Sequence, residues 1–362
     1  MPRDRAFLVI VRRKNYEKRS ADDYLDELSE LTRSAGGAIT GHVVATVERP
    51  TPNYFISEGK LIEIKTKAEK ESANLLIFNI DLSPIQARNI ETQTGIRPVD
   101  RTGLIIDIFA RRAQSRSGRL QVELAQLNYL LPRLVGQGVI MSRTGGGIGT
   151  RGPGEQKLEV DRRKIRNRIS HVKQELAKVK VHQDLLRKRR QKKQYPLIAI
   201  VGYTNAGKST LMNSLTRAET LVEDKLFATL DPTTRALSVN GKKDLMVTDT
   251  VGFLIDLPHS LIEAFQATLD EVREADVLIH VLDVTNPLYE QQFHSVIKVL
   301  EGLGAHEKPI VLALNKIDRL DEDQVQQIIR KYPEGVPISA KSKINLSLLT
   351  KHIHELVDRE SS

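Results

Sequence analysis

The sequence predicts an α/β chain in three parts: an N-terminal α/β domain (1–113), an antiparallel helical hairpin of coiled-coil type (114–194) and a C-terminal doubly wound α/β domain (195–362). Three observations carry this. Ile198 to Val201 is a short apolar run that ends at Gly202, and Lys208-Ser209 then opens a helix with Leu211, Met212 and Leu215 on one face. Leu120, Leu124, Leu127, Leu131 and Leu134 repeat at spacings of four and three, and Leu158, Ile165, Val172, Val179 and Leu186 recur every seven. Upstream, strand-like and helix-like stretches alternate, as in layered α/β folds.

In the first part, Phe7 to Val11 is a continuous apolar run of strand length. Ser20 is placed to cap a helix with Tyr24, Leu28 and Leu31 on one face. Val43 to Val47 reads as a strand, Leu61, Ile64 and Ala68 as a helix face, Leu75 to Ile80 as a buried strand, and Ser83-Pro84 as a helix start. No nucleophile, acid pair or metal spacing stands out. Asp100 and Asp107 read as structural, and the unit reads as a binding or spacer domain.

In the second part, Ile169 and Leu176 fall between the heptad positions, and Pro132 shortens or kinks the first helix. The connecting loop, 136–154, holds eight of the 22 glycines of the chain. Such backbone, with Arg143 and Arg151 interspersed, can approach phosphates and base edges closely. Tyr195-Pro196 marks the last boundary. Beyond it, Leu237–Val239 and Leu245–Thr248 flank an Asn240-Gly241 hairpin turn, and Val277–Val284 and Ile310–Leu314 read as buried parallel strands. Helices are expected near 259–274, 288–303, 321–331 and 345–358.

Composition narrows the function. The 362 residues contain no cysteine, which excludes a disulfide framework and cysteine metal sites. No apolar run approaches a membrane span, so a cytoplasmic protein is expected; a monomer is the expectation for its assembly. The net charge of +9 is concentrated: Arg162 to Lys193 holds 14 Lys/Arg against two acids, while the remainder holds 41 against 44. A polyanionic partner is expected at that segment.

The chemistry lies in Gly202-Tyr203-Thr204-Asn205-Ala206-Gly207-Lys208-Ser209-Thr210, a G-x-x-x-x-G-K-[ST] pattern in its strand–loop–helix setting. Its backbone N–H groups and helix N-terminus face a polyphosphate, Lys208 reaches the β- and γ-phosphates, and the Ser209 hydroxyl ligates Mg²⁺. Asp249-Thr250-Val251-Gly252 follows a strand, where Asp249 holds a Mg²⁺-bound water and the Gly252 N–H senses the γ-phosphate. In Asn315-Lys316-Ile317-Asp318, the Asp318 carboxylate suits the N1–H and exocyclic amine of guanine, and a buried acceptor left unpaired by adenine would discriminate strongly. Ser339-Ala340-Lys341 closes the base pocket with backbone N–H groups. A guanine nucleotide, GTP or GDP, is the expected ligand.

These stretches resemble the G motifs of the GTPase superfamily. Leu226-Phe-Ala-Thr-Leu-Asp-Pro-Thr-Thr234, Asp249-Thr-Val-Gly-Phe253 and the run from Gly145 to Asp161 look like the HflX family of ribosome-associated GTPases. The resemblance implies a C-terminal P-loop GTPase (G) domain that hydrolyses GTP with Mg²⁺. It adds Phe227, Ala228, Thr229, Leu230 and Asp231 to the nucleotide-facing residues. Thr229 becomes the switch I threonine, giving its hydroxyl to Mg²⁺, with Thr233 and Thr234 as local competitors. Lys208, Thr229 and Gly252 are then the catalytic set. It also implies association with the large (50S) ribosomal subunit and dissociation of stalled or idle ribosomes, with Arg143, Arg151, Arg187, Lys188, Arg189, Arg190, Lys192 and Lys193 toward rRNA. A second reading keeps the GTPase but docks a protein partner on the hairpin. Phe253 stands where many GTPases carry a water-orienting glutamine, so intrinsic hydrolysis is expected to be slow and ribosome-stimulated. The Asn205 side-chain carbonyl suggests a K⁺ ion beside the phosphates.

Overall fold

Ala6 to Val11 are apolar in succession and buried throughout, which suits an inner parallel strand covered on both faces. The computed structural model describes residues 4–14, 19–134, 153–191, 195–216, 226–227, 230–239, 242–255, 261 and 266–360. In it β1 (Arg5–Arg13) pairs in parallel with β2 (Ala38–Val47) and β3 (Leu75–Phe78), and β3 with a short β4 (Arg97–Val99), in the order β2-β1-β3-β4. The crossovers are α1 (Ala21–Ser34), α2 (Glu58–Lys70) and α3 (Pro84–Thr94). Ser20 with Asp23, and Ser83 with Gln86, form reciprocal capping boxes, and Gly95 ends α3 in the left-handed region. Phe7, Val9 and Val43 pack with Leu61, Ile64, Leu76 and Phe78 as the core.

Asp100, 2% exposed, starts α4 (Arg101–Arg112) by accepting the Gly103 N–H at 2.8 Å. It also takes the Tyr129 hydroxyl at 2.8 Å and the Arg133 guanidinium at 2.5 Å. Burial raises its carboxyl above the usual range, and Arg133 offsets only part of that. Glu27 is the opposite case. Burial raises it, but Arg101 and Arg19, each at 2.8 Å, together outweigh burial and hold it below the usual range.

Two helices follow, α5 (Arg116–Arg133) and the 39-residue α6 (Pro153–Gln191). The heptad seam is what they withdraw from solvent: Leu124 and Val172 are buried and Ile165, Ile169, Leu176 and Val179 partly so, while Arg163, Arg166 and Lys173 between them are exposed. Arg168 binds Glu123 through two nitrogens, at 2.5 and 2.9 Å. The chain divides into two compact units, residues 1–111 with 120–176, and residues 112–119 with 177–362. The helical stretch is thus shared between the units.

The second unit carries β5 (Leu197–Gly202), β6 (Thr233–Val239), β7 (Lys242–Asp249), β8 (Val277–Asp283), β9 (Ile310–Asn315) and β10 (Val336–Pro337). Their order is β10-β9-β8-β5-β7-β6, with β6 antiparallel to β7 and the other pairs parallel. Helices α7 (Lys208–Thr216), α8 (Gln266–Glu274), α9 (Tyr289–Gly302), α10 (Glu322–Lys331) and α11 (Leu346–Glu360) complete a doubly wound domain. Loops at the carboxyl ends of β5, β7 and β9 converge, as expected for a ligand site in an open parallel sheet. The Asn240-Gly241 turn lies outside the described residues.

Candidate nucleotide site

The loop after β5 is shaped by backbone. Gly207 has φ +100°, and a Cβ there would lie 2.3 Å from Asn315 Nδ2. A Cβ on Gly202 would lie 2.4 Å from the Val281 carbonyl oxygen. Asn205, at φ +61°, supplies the third unusual conformation, one that asparagine tolerates. Such a turn at the N-terminus of α7 aims N–H groups into one concavity, suited to phosphate.

Lys208 is 6% exposed and donates to the Tyr203 carbonyl at 2.8 Å. Burial pushes its ammonium down to about 8, and Asp249 opposes the shift. A buried cation in a concave nest of N–H groups favours an anion. Ser209 Oγ donates to Asp249 Oδ2 at 2.6 Å. A hydroxyl and a carboxylate this close are hard oxygen donors of the type Mg²⁺ takes, so the residues fit that ion. Thr250 is buried, and its hydroxyl donates to the Ile200 carbonyl at 2.7 Å, fixing the strand end behind Asp249.

Val251 is buried, and Gly252 lies against the phosphate loop: a Cβ there would be 2.7 Å from Thr204 Cγ2 and 3.0 Å from Lys208 Nζ. The Phe253 N–H donates to the Gly202 carbonyl at 3.1 Å, and the Thr204 N–H donates to the Phe253 carbonyl at 2.9 Å. The ring of Phe253 is fully buried. It belongs to the core.

At the base side, Asn315 is 2% exposed and staples two loops. Its Nδ2 donates to the Ala206 carbonyl at 2.8 Å, and its Oδ1 accepts the Ala340 N–H at 2.9 Å. Lys316 donates to the Asn205 carbonyl at 2.9 Å and pairs with Asp283 at 2.6 Å. The Ile317 N–H reaches the Ile338 carbonyl at 3.3 Å, and Ser214 Oγ donates to the Ala340 carbonyl at 2.7 Å. Ser339 is buried, while Lys341 and Asp318 are exposed. The acceptor expected to be buried is therefore open to solvent.

Phe227 and Leu230 are buried. The Asp231 carboxylate is held by Gln114 and Ser115. Ala228, Thr229, Arg143, Arg151, Lys192 and Lys193, and the side chains of Arg187, Lys188, Arg189 and Arg190, lie outside the described residues. Sequence reasoning missed Asp283, Ser214 and the Phe253 stitch. Asp283 ends β8 in register with Asn315, a pairing that only the structure shows.

A family model described as 50S ribosome-binding GTPase matches residues 197–316. Models of a GTP-binding GTPase N-terminal region and middle region match 22–110 and 112–190. The GTPase HflX of Caldanaerobacter subterraneus is 48% identical over 99% of this chain and 82% of its own length. The chain belongs to the HflX family of GTPases. The Escherichia coli GTPase HflX is 42% identical over 93% of this chain and 79% of its own. Among solved structures, a GTP-binding protein from Sulfolobus solfataricus in complex with GDP is 27% identical, covers 98% of this chain and 99% of that one, and gives a TM-score of 0.50. The SsGBP–GDP complex gives 0.54 at 26% identity, covering 99% and 100%. HflX membership makes this chain a GTPase, and its G motifs lie on a doubly wound P-loop domain as expected. Among the described residues, no helix is long and apolar enough to cross a membrane.

Proposed function

We propose that this HflX-family GTPase acts on the large ribosomal subunit in its GTP-bound state and separates stalled or idle ribosomes, in the cytoplasm. The observation that carries the reading is the exposed basic surface of α6, where Arg163, Lys164, Arg166 and Lys173 face solvent. A cationic helix joined to a nucleotide domain fits a partner made of phosphates. The description of the family model over 197–316 points the same way.

The residues divide the work. The N–H groups of 203–210 and Lys208 bind the phosphates, and Asp318 with the Ser339–Lys341 backbone orients the guanine. Ser209 and Thr229 would hold Mg²⁺, with Asp249 acting through a water. The ion, when bound, neutralises charge that builds on the β- and γ-oxygens. The Gly252 N–H reads the γ-phosphate. No side chain among these takes the attacking water's proton, so hydrolysis is slow alone and gains alignment from the partner.

Gradient fractionation tests the proposal. With a non-hydrolysable GTP analogue the protein travels with large subunits, and with GDP it does not. Six phosphate contacts would weaken binding about a thousandfold between 50 and 200 mM salt. Arg163→Gln with Arg166→Gln and Lys173→Gln weakens it at low salt. Sedimentation that ignores salt, RNase and these substitutions would instead favour a protein partner docked on the helices.

A further inference from the structure

Asp231 stands one residue before Pro232 and two before β6, and its carboxylate reaches far along the chain. Oδ2 accepts the N–H of Gln114 at 2.9 Å and of Ser115 at 2.7 Å, and Oδ1 accepts the Ser115 hydroxyl. Ser115 is at the same time the cap of α5: its Oγ accepts the Gly118 N–H at 2.8 Å and its carbonyl the Arg119 N–H at 3.0 Å. Residues 112–119 belong to the same compact unit as the nucleotide domain.

Gly118 makes the arrangement specific. It is buried, and a Cβ there would lie 2.2 Å from Asp231 Oδ1 and 3.2 Å from Ser115 Oγ. Glycine is ordinarily a poor residue inside a helix. Here only glycine leaves room for the carboxylate. Two backbone amides and a hydroxyl converging on one carboxylate form a directional, charge-assisted node rather than a loose surface pair.

We infer that Ser115 is a positioning residue for GTP hydrolysis: by holding Asp231 it fixes the C-terminal root of the stretch that carries Thr229, two residues earlier. The inference rests on the role proposed above for Thr229. Because the same serine caps α5, the switch root and the start of that helix share one hydrogen-bonded node. Displacing Asp231 removes one side of the node and leaves the phosphate loop and the base-binding residues untouched.

The test uses the full chain, with single-turnover GTP hydrolysis and fluorescent-GDP titration. Ser115→Ala and Gly118→Ala each slow hydrolysis about tenfold, while GDP affinity stays within about twofold. Ser115→Thr keeps the hydroxyl and restores the rate. Adding Asp231→Asn to Ser115→Ala slows hydrolysis little further, because the node is already broken. Wild-type rates in both Ser115→Ala and Gly118→Ala overturn the inference, as does GDP affinity falling in step with the rate. Thr229→Ala separates the two levels. If it hydrolyses GTP normally, the reading of Thr229 fails; if it is slow while Ser115→Ala is normal, the inference alone fails.

Discussion

Replacing Phe253 by glutamine installs the side chain that many GTPases carry after the switch II glycine, and simple analogy predicts faster hydrolysis. The structure predicts otherwise. Backbone bonds to Gly202 and from Thr204 pin residue 253 on both sides, and its ring is fully buried. Phe253→Gln therefore removes about 2–3 kcal/mol of apolar burial. It also leaves an amide short of partners, for about 1–3 kcal/mol more. The domain should lose about 4 kcal/mol in all, a fall of about 10 °C in Tm. Single-turnover hydrolysis at low temperature, where the variant is still folded, should be no faster than about twofold above wild type. An acceleration of tenfold or more would refute the reasoning, because it would place residue 253 at the attacking water rather than in the core.

Asn315→Ala leaves the Ala206 carbonyl and the Ala340 N–H without their partner, so guanine-nucleotide affinity should fall about a hundredfold in fluorescence titrations. Burial holds Lys208 at about 8, below its unfolded value, so the protonated form that binds phosphate is lost from the free protein as pH rises through 8. Calorimetry in buffers of different ionisation enthalpy should show proton uptake on GDP binding at pH 8.5, and the part of it that belongs to Lys208 should disappear near pH 6.5, where the ammonium is already charged. His280 is fully buried, its ring nitrogens have no hydrogen-bond partner among the described residues, and burial, aided by Lys208, pushes it down to about 3. Its folded value lies below its unfolded one, so its contribution is complete above about pH 6.5 and is lost on acidification. His280→Leu should accordingly be more stable than wild type, by about 2 kcal/mol more at pH 5 than at pH 7 in denaturant titrations. Asn205 is exposed at the loop tip, and hydrolysis should run faster in K⁺ than in Na⁺; equal rates in the two salts, in wild type and in Asn205→Ala, would remove a cation site there.

Much of this was legible in the sequence wherever a short run of residues settles its own geometry. The glycines at 202 and 207 are demanded by a turn whose Cβ positions are filled, and Ser20 and Ser83 announce helices that they cap themselves. Strands β1 and β3 are legible because burial on both faces leaves an uninterrupted apolar run. What escaped depends on distant partners. β4 is three residues long and contains Pro98, so it has no period to read, and it exists because β3 offers it an edge. The Asp231–Ser115 node joins residues 116 apart. Asp318 reads as a buried acceptor because the motif is defined with a base in place; its exposure follows from the short turn Ile317–Arg319, which burial does not enclose. A cavity of about 540 Å³ in the N-terminal unit had no signal either, and its Asp100 and Arg133 are spent on each other.

The two depressed bases of the nucleotide domain have one physical cause with opposite consequences. His280 escapes the cost of burial by staying neutral, since each ring nitrogen can remain uncharged between β5 and β9. Lys208 cannot serve in that way, because a neutral amine would lose the attraction to phosphate for which its position is suited. It is held charged near neutral pH by the Tyr203 carbonyl and Asp249, at an energetic cost set by its burial. An anion in the loop removes that cost. Nucleotide binding and stability of the domain are then a single linked equilibrium, and GDP at a hundred times its Kd should raise stability by about 2.7 kcal/mol. The buried cation contributes to the affinity rather than to the linkage itself: backbone dipoles at the helix N-terminus repel Lys208, Asp249 offsets part of that, and a negative ligand offsets more.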